Sequence, residues 1–176
     1  MENADHCREA IRLACEKDLG AVMGIYDAAR RFMRSTGNLT QWTGGYPSLA
    51  HAERDLKNGW LWVFDEGFGP IACMSVMPGP DRTYASIDGE QWLNDEPYWV
   101  MHRLACAEQG RGIGPAMLAF LCTEHDNVRA DTHEDNAPMQ RALERAGFKR
   151  RGTIVCDDGT PRIAFHYVAG VSEALG

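Results

Sequence analysis

Three glycines stand at alternate positions, Gly110, Gly112 and Gly114, in the segment CAEQGRGIGPAMLAFL (106–121). An apolar helical pattern follows at once, so the backbone N–H groups of residues 110–114 lie where the chain enters a helix. Such N–H groups lack an intrahelical partner, and the helix dipole adds partial positive charge there. The segment is therefore suited to a phosphate-like anion, with Arg111 adding a charged contact. A turn that serves only strand–helix packing is the alternative.

Two common phosphate-binding motifs do not match this segment. The P-loop requires Lys and then Ser or Thr after its last glycine, where this chain has Pro115 and Ala116. The dinucleotide fingerprint requires G-x-G-x-x-G after an early strand, whereas these glycines are spaced G-x-G-x-G in mid-chain. A nucleotide hydrolase is accordingly disfavoured.

A second motif follows in DTHEDNAPMQRALERAGFKRRG (131–152), where Asn136 opens a helix that Gly147 and Phe148 end. With HRLACAEQGRGIG (102–114), this segment resembles the GNAT superfamily of acetyl-CoA-dependent N-acetyltransferases. The family's pyrophosphate loop, Q/R-x-x-G-x-G/A, is matched by Gln109, Gly112 and Gly114. The pattern N-x-x-M-x-x-x-L-x-x-x-G-F matches its Asn-helix-Gly-Phe segment, and the order of elements agrees over most of the chain.

The resemblance implies a set of contacts with acetyl-CoA. The N–H groups of residues 109–114 would surround the pyrophosphate, and the end of the preceding strand would pair with the pantetheine arm like an added strand. The N–H of Cys106 would stabilise the oxyanion as the amine attacks, while its side chain is expected to pack rather than act as a nucleophile. Asn136 would contact the pantetheine, or would serve only as a helix N-cap. The implied cofactor-binding residues are Leu104, Ala105, Cys106, Gln109, Gly110, Arg111, Gly112, Ile113, Gly114 and Asn136.

The sequence departs from the family pattern at three places. Leu143 stands where many members have a tyrosine that protonates the departing thiolate, and Val100 stands where some have a general-base glutamate. The segment Ala107–Glu108 is also shorter than the family norm, which affects the register of the cofactor contacts. The missing acid is tolerable because a thiol with a pKa of about 8.5 is a fair leaving group.

A base is still required, because an alkylammonium with a pKa near 10.4 is mostly protonated and cannot attack. Asp131 lies where some family members carry a catalytic carboxylate, and we expect it to take the amine proton through water. The alternative is that Asp131 or Asp135 caps the following helix. His102, in an apolar strand, is expected to be a core residue, and His133 is expected to be more exposed.

The acceptor amine is expected at the loop between the first two helices, STGNLTQWTGGYP (35–47), because this loop forms the acceptor wall in the resembled family. Trp42 and Tyr46 are the aromatic residues there. Aromatic rings bind apolar or cationic amines through contact and cation–π attraction. Anchoring of the loop to the core is the alternative function of Trp42.

The periodicities predict an α/β (α+β) fold, with a mixed, mostly antiparallel sheet flanked by helices and a central strand–helix–strand unit that holds the cofactor. We expect one domain over residues 1–176. The predicted elements are a strand at 11–15, a helix capped by Asp18, a helix after Pro47, a hairpin at 60–78, a strand at 98–106, a helix after the glycines, a strand at 127–132, a helix at 136–146 and a hairpin turned by DDGT (157–160).

The overall composition limits the classes of molecule that the protein is expected to bind. Of 176 residues, 18 are Lys or Arg and 25 are Asp or Glu, so the formal charge is −7. This balance disfavours nucleic acid and mildly favours cationic substrates. The polar start MENADHCREA and the lack of a long apolar run predict a cytoplasmic protein without a membrane partner. The six cysteines lack metal-ligand spacing and are expected to be reduced, so no metal site is predicted. Exposed strand edges could pair between two copies of the chain, so a homodimer is compatible with the sequence.

Two functions follow from these observations. The first is an N-acetyltransferase that transfers an acetyl group directly from acetyl-CoA to a primary amine of a small molecule or peptide. The second is a catalytically weak or inactive acyl-CoA-binding module of the same fold, which Leu143 and Val100 favour. The identity of the amine, the length of the acyl group and the oligomeric state are left open by the sequence.

Overall fold

A computed structural model describes residues 9–171, and this part of the chain contains eight strands and four α-helices. The strands are β1 (Ile11–Leu13), β2 (Leu61–Asp65), β3 (Pro70–Pro78), β4 (Asp88–Gly89), β5 (Trp99–Cys106), β6 (Asn127–Thr132), β7 (Lys149–Val155) and β8 (Pro161–Val168). The helices are α1 (Leu19–Ser35), α2 (Leu49–Lys57), α3 (Ile113–Glu124) and α4 (Ala137–Arg145). Each predicted helix and strand has a counterpart among them.

The strands form a mixed sheet in the order β1-β2-β3-β5-β6-β8-β7-β4. β5 and β6 are parallel and joined by α3, which is the predicted strand–helix–strand unit. The pairs β1–β2, β2–β3, β6–β8, β7–β8 and β4–β7 are antiparallel. The predicted fold class, a mixed and mostly antiparallel sheet flanked by helices, is confirmed.

Residue contacts divide the chain into two compact units. Unit 1 runs to Val76 and includes His102–Phe120. Its core forms because one face of α1 is apolar at helical spacing and packs on the sheet. The buried members of this core include Val22, Ile25, Tyr26, Ala29, Met33, Leu61, Val63 and Cys73.

Unit 2 comprises Met77–Met101 and the chain from Leu121 onward. Its buried apolar residues include Tyr84, Val100, Ile154 and Ala164. Gly152 on β7 has no room for a side chain, because an ideal Cβ there would lie 2.2 Å from the Asp88 carbonyl oxygen. This close approach allows the short strand β4 to pair with β7, and neither β4 nor this contact was predicted from the sequence.

Asp18 occupies the N-cap position of α1 as predicted, but its side chain does not cap that helix. It accepts hydrogen bonds from the Cys15 backbone N–H at 2.8 Å and from the Arg12 guanidinium at 2.7 Å. The Arg12 hydrogen bond lowers the pKa of Asp18 to about 2. Its carboxylate therefore stabilises the turn before α1 instead of the first turn of the helix.

The cysteines within residues 9–171 are all free thiols, and Cys7 lies outside the described range. Over the same range, no group of three or more His, Cys, Asp or Glu side chains is arranged to hold a metal ion. No helix in this part of the chain is both long and apolar enough to cross a bilayer.

Candidate active site

The glycine-rich segment forms an exposed loop between β5 and α3 in unit 1. Gly110 and Gly112 have φ angles of 82° and 75°, in the left-handed region that glycine adopts without strain. An ideal Cβ at either position would meet nothing within 4 Å. The Ala116 N–H donates to the Gly112 carbonyl at 3.0 Å, so the helical bonding begins at Gly112. The loop therefore presents backbone N–H groups beside open space.

Arg111 projects from this loop but is already bonded to two carboxylates. Its guanidinium donates to Glu66 at 2.8 Å and to Glu108 at 3.2 Å. Hydrogen bonding to Glu66 raises the pKa of Arg111, so the side chain remains charged. A phosphate contact by Arg111 would require exchange of one of these partners.

The end of β5 leads into the loop with one edge paired to β3. Met101 is the last β5 residue that pairs with β6, and the strand continues to Cys106. On the β3 side, the Ala107 N–H donates to the Ile71 carbonyl at 2.8 Å. Burial raises the pKa of the Cys106 thiol to about 11. The thiol is therefore protonated at neutral pH, which agrees with a packing function for this side chain.

The loop of residues 38–47 in unit 1, between α1 and α2, is fixed to α1 by two arginines one turn apart. Arg34 donates to the carbonyls of Asn38, Gln41 and Trp42, at 2.6, 2.8 and 3.2 Å. Arg30 donates to the carbonyls of Tyr46 and Pro47, at 3.0 and 3.1 Å. A loop whose carbonyls are bound in this way has a defined conformation, so its aromatic side chains are presented in fixed positions.

The structure brings Trp42 and Tyr46 together, as the acceptor-site prediction requires. Their ring centroids are 6.2 Å apart in an edge-to-face arrangement. Trp42 also packs edge-to-face on the buried Tyr26 at 5.7 Å, and Tyr46 on His51 at 4.9 Å. Both are half-buried, so Trp42 anchors the loop and still leaves part of its ring accessible.

The sequence did not indicate a buried polar cluster beside Tyr46. Arg103, on β5, donates to the Tyr46 hydroxyl at 3.1 Å and to Asp55 Oδ2 at 2.5 Å. Ser75 donates to the same Asp55 oxygen at 2.6 Å. These four residues come from the loop between α1 and α2, from α2, from β3 and from β5, so no local pattern marks them. A charged residue in an apolar strand, such as Arg103 in WVMHRLAC, was the available signal.

Asp131 and Asn136 belong to unit 2. Asp131, near the end of β6, accepts a hydrogen bond of 2.8 Å from the hydroxyl of Tyr84, which is fully buried. Asn136 caps α4, because its side-chain oxygen accepts from the Met139 N–H at 3.3 Å. The cap function of Asn136 is therefore confirmed, and a contact with pantetheine stays a prediction.

The two positions that depart from the family pattern are core positions. Leu143 and Val100 are both fully buried and serve in packing. The expectation that His133 is exposed is wrong, because only 9% of it is accessible. Its ring Nδ1 accepts from the Asp135 N–H at 3.1 Å, which draws the side chain in against the turn before α4. His102 is half-buried in β5.

Comparisons with known proteins give a consistent result. No family model matches the chain. A crystal structure of a GNAT-family acetyltransferase from Streptococcus agalactiae is 32% identical, with a TM-score of 0.83 over 90% of this chain and 94% of that one. The aminoglycoside N(6')-acetyltransferases type 1 of Klebsiella pneumoniae and Serratia marcescens are each 28% identical, over 85% of this chain and 78% of the relative. A chain of the NatC complex bound to Gag peptide and CoA shares the fold at 13% identity and a TM-score of 0.58, over 90% of this chain and 96% of that one.

Proposed function

The chain belongs to the GNAT family of acetyltransferases, and we propose that it acetylates a primary amine of a small molecule or peptide. As an acyltransferase of this family, it uses acetyl-CoA as the donor. The thioester of acetyl-CoA supplies an activated acetyl group. The protein must bind the donor, hold the amine and accept its proton.

The observation that carries this proposal is the geometry of the glycine loop. Left-handed glycines at 110 and 112 leave the loop backbone open to a ligand. An anion at that place is stabilised by N–H groups that have no helical partner and by the positive end of α3. We assign the pyrophosphate of coenzyme A to residues 109–114, and the pantetheine arm to the strand edge of Leu104, Ala105 and Cys106.

Proton transfer is the second requirement, and we assign it to Asp131. A carboxylate near the end of a strand, oriented by a hydrogen bond from a buried tyrosine, is suited to accept a proton directly or through one water. The N–H of Cys106 is assigned to the oxyanion that forms on the acetyl carbonyl. Its thiol takes no part, since burial keeps it protonated.

Trp42 and Tyr46 form the acceptor surface in this proposal. The curated relatives are named for acetylation of aminoglycosides at N6', and an amine on a hydroxylated ring is accordingly the first substrate class to test. The formal charge of −7 favours such cationic substrates over nucleic acid. The cytoplasmic location, the single domain and the homodimer stay predictions.

A catalytically inactive acyl-CoA-binding module is the alternative, and buried Leu143 and Val100 are the observation in its favour. Both functions predict that coenzyme A raises the thermal unfolding temperature, because a ligand that binds the native state stabilises it. The enzyme alone releases free thiol from acetyl-CoA when amines are added. Stabilisation without thiol release over a broad amine panel would establish the module instead.

A further inference from the structure

The hydrogen bond between Arg103 and Tyr46 fixes the direction of a phenolic proton. A guanidinium has only donors, so the Tyr46 oxygen must be the acceptor in this 3.1 Å bond. The hydroxyl proton of Tyr46 is then directed away from Arg103. Among the hydrogen bonds of residues 9–171, the Tyr46 hydroxyl accepts this one and donates none. Because Tyr46 is half-buried, its O–H is a donor offered to whatever occupies the adjacent space.

Arg103 cannot turn away, because its own position is fixed by buried partners. Its side chain is 4% exposed and its Nε donates to Ser75 at 3.3 Å, while Asp55, which is 0% exposed, neutralises its charge. Burial of such a pair requires that its donors and acceptors be satisfied, which this cluster achieves. The backbone of Arg103 has a φ of 56°, an uncommon value within a strand.

The groups around Tyr46 are neutral or already paired. His51, edge-on to the Tyr46 ring, accepts the Ser48 N–H at its Nδ1, so its proton lies on Nε2. Burial and the nearby Arg103 lower the pKa of His51, which keeps the ring neutral. Asp55 is bound by Arg54 as well as Arg103. In this environment, the Tyr46 O–H is a donor that a ligand placed against Trp42 could use.

We propose that Arg103 is a positioning residue for the Tyr46 hydroxyl, and that Tyr46 thereby selects acceptor amines carrying an oxygen acceptor, such as a hydroxyl or ether, beside the amine. The inference rests on the proposed function and deepens it. A substrate that binds as the ammonium has no lone pair to accept the phenolic proton, and the lone pair of the neutral amine is used in its attack on the thioester, so the accepting oxygen must come from another part of the molecule. The aromatic rings contact the carbon skeleton of the substrate, and the Tyr46 hydroxyl donates a hydrogen bond to the substrate oxygen.

The test uses amines matched in size that differ in oxygen. Ethanolamine is compared with propylamine, and 6-amino-6-deoxyglucose with cyclohexylmethylamine, by initial rates of thiol release from acetyl-CoA. For the wild-type protein we expect kcat/KM to favour the oxygen-bearing member by about tenfold to a hundredfold. Tyr46→Phe should abolish this preference, because it should raise KM far more for the oxygen-bearing member than for its matched partner, and the coenzyme A-induced thermal shift should be unchanged.

Arg103→Lys tests the positioning step, because lysine keeps the charge near Asp55 but lacks the fork that reaches three partners. We expect it to lose the same preference as Tyr46→Phe. Retention of the preference in Arg103→Lys would overturn the positioning function, and an equal effect of Tyr46→Phe on both members would overturn selection. The Tyr46→Phe result stands even if Arg103→Lys fails to fold. Amine turnover without any preference defeats this inference alone, whereas a wild-type protein that releases no thiol defeats the proposed function as well.

Discussion

The Tyr84 hydroxyl donates a 2.8 Å hydrogen bond to Asp131 Oδ2 across 47 residues of sequence. Burial, reinforced by the Asp131 charge, raises the pKa of Tyr84 well above its ordinary value. The hydroxyl therefore stays protonated and remains a donor at any physiological pH. Its bond to Oδ2 restricts the orientation of the Asp131 carboxylate.

Asp131→Asn should lower turnover without weakening coenzyme A binding. The amide keeps an oxygen that accepts from Tyr84, so the local structure is retained, but it cannot take a proton. We expect kcat to fall by about a hundredfold or more, the usual contribution of a general base. Steady-state kinetics measures this, and calorimetric titration with coenzyme A should give an unchanged Kd. Full activity in Asp131→Asn would assign proton removal to water or to another group.

Tyr84→Phe is the matched variant for this pair, because it removes the hydrogen bond and leaves the base. We expect a smaller fall in kcat, about three- to tenfold, since the carboxylate is still present but less well oriented. In the Asp131→Asn background, Tyr84→Phe should cause no further fall in kcat, because residue 131 can no longer accept a proton and its orientation no longer affects the rate. Additive losses would show that Tyr84 acts independently of Asp131.

The elements that the sequence predicted are those specified by local patterns. The apolar stripe of α3, the glycines before it and the Asn136 cap of α4 are each encoded within a few residues, so they could be identified from spacing alone. Asp55, Ser75 and Arg103 are separated by 20 and 28 residues and meet only because strands and a helix bring them together. The apolar strand around Arg103 is a local signal of its burial, but isolated charged residues are usually exposed, and nothing local indicates Asp55 or Ser75 as its partners.

Asp18 and His133 illustrate a second reason for incomplete prediction. Both are polar residues near a helix start, and both have several possible backbone or side-chain partners there. Asp18 was expected to cap α1, but it binds Arg12, a residue six positions earlier on β1. His133 was predicted to be exposed, but its ring Nδ1 accepts from the Asp135 N–H in the same turn and the side chain is buried. Partner choice among equivalent groups depends on strand placement, which no short motif specifies.

Gly112→Ala should impair coenzyme A binding together with stability. An alanine at a φ of 75° costs about 1–2 kcal/mol, although its Cβ would meet no neighbouring atom. Thermal unfolding should therefore shift down, and the shift produced by coenzyme A should shrink as the loop relaxes. Gly24→Ala is the control, because Gly24 is an exposed residue inside helix α1 and a Cβ there would meet no atom within 4 Å. It should stabilise the protein by about 0.5–1 kcal/mol. A coenzyme A shift that Gly112→Ala leaves intact would contradict the loop assignment.

Glu66→Gln should strengthen coenzyme A binding, because it removes the nearer of the two carboxylates that hold Arg111. Glu66 binds the Arg111 guanidinium in the free protein, and this contact competes with a phosphate. We expect Kd to fall a few-fold and the affinity to depend more steeply on salt. Arg111→Ala combined with Glu66→Gln separates this explanation from simple removal of negative charge. If the double variant keeps the gain in affinity, Arg111 does not contact the phosphate.

Acid should destabilise unit 2 through His166. Its Nδ1 accepts from the Leu93 N–H at 2.9 Å, so its proton lies on Nε2, which donates to Asn127 Oδ1 at 2.6 Å. This arrangement requires the neutral ring. Burial, followed by the charges of Arg129 and Arg151, lowers the pKa of His166 to about 3. The folded protein thus resists protonation of a group that titrates near pH 6.5 when unfolded.

The contribution of His166 is complete above pH 6.5 and is lost as the pH falls toward 3, because the unfolded chain binds the proton that the folded chain refuses. Between pH 6.5 and 4.5, above the range of ordinary carboxyls, the free energy of unfolding should decrease by up to about 1.4 kcal/mol per pH unit from this group. Denaturant unfolding at several pH values measures the slope. His166→Gln should be less stable at pH 7 yet show a flatter slope. Burial also lowers the pKa values of His51 and His125, but both proteins contain these residues, so their contributions cancel when the two slopes are subtracted. Equal slopes in the two proteins would show that protonation of His166 does not control the acid sensitivity.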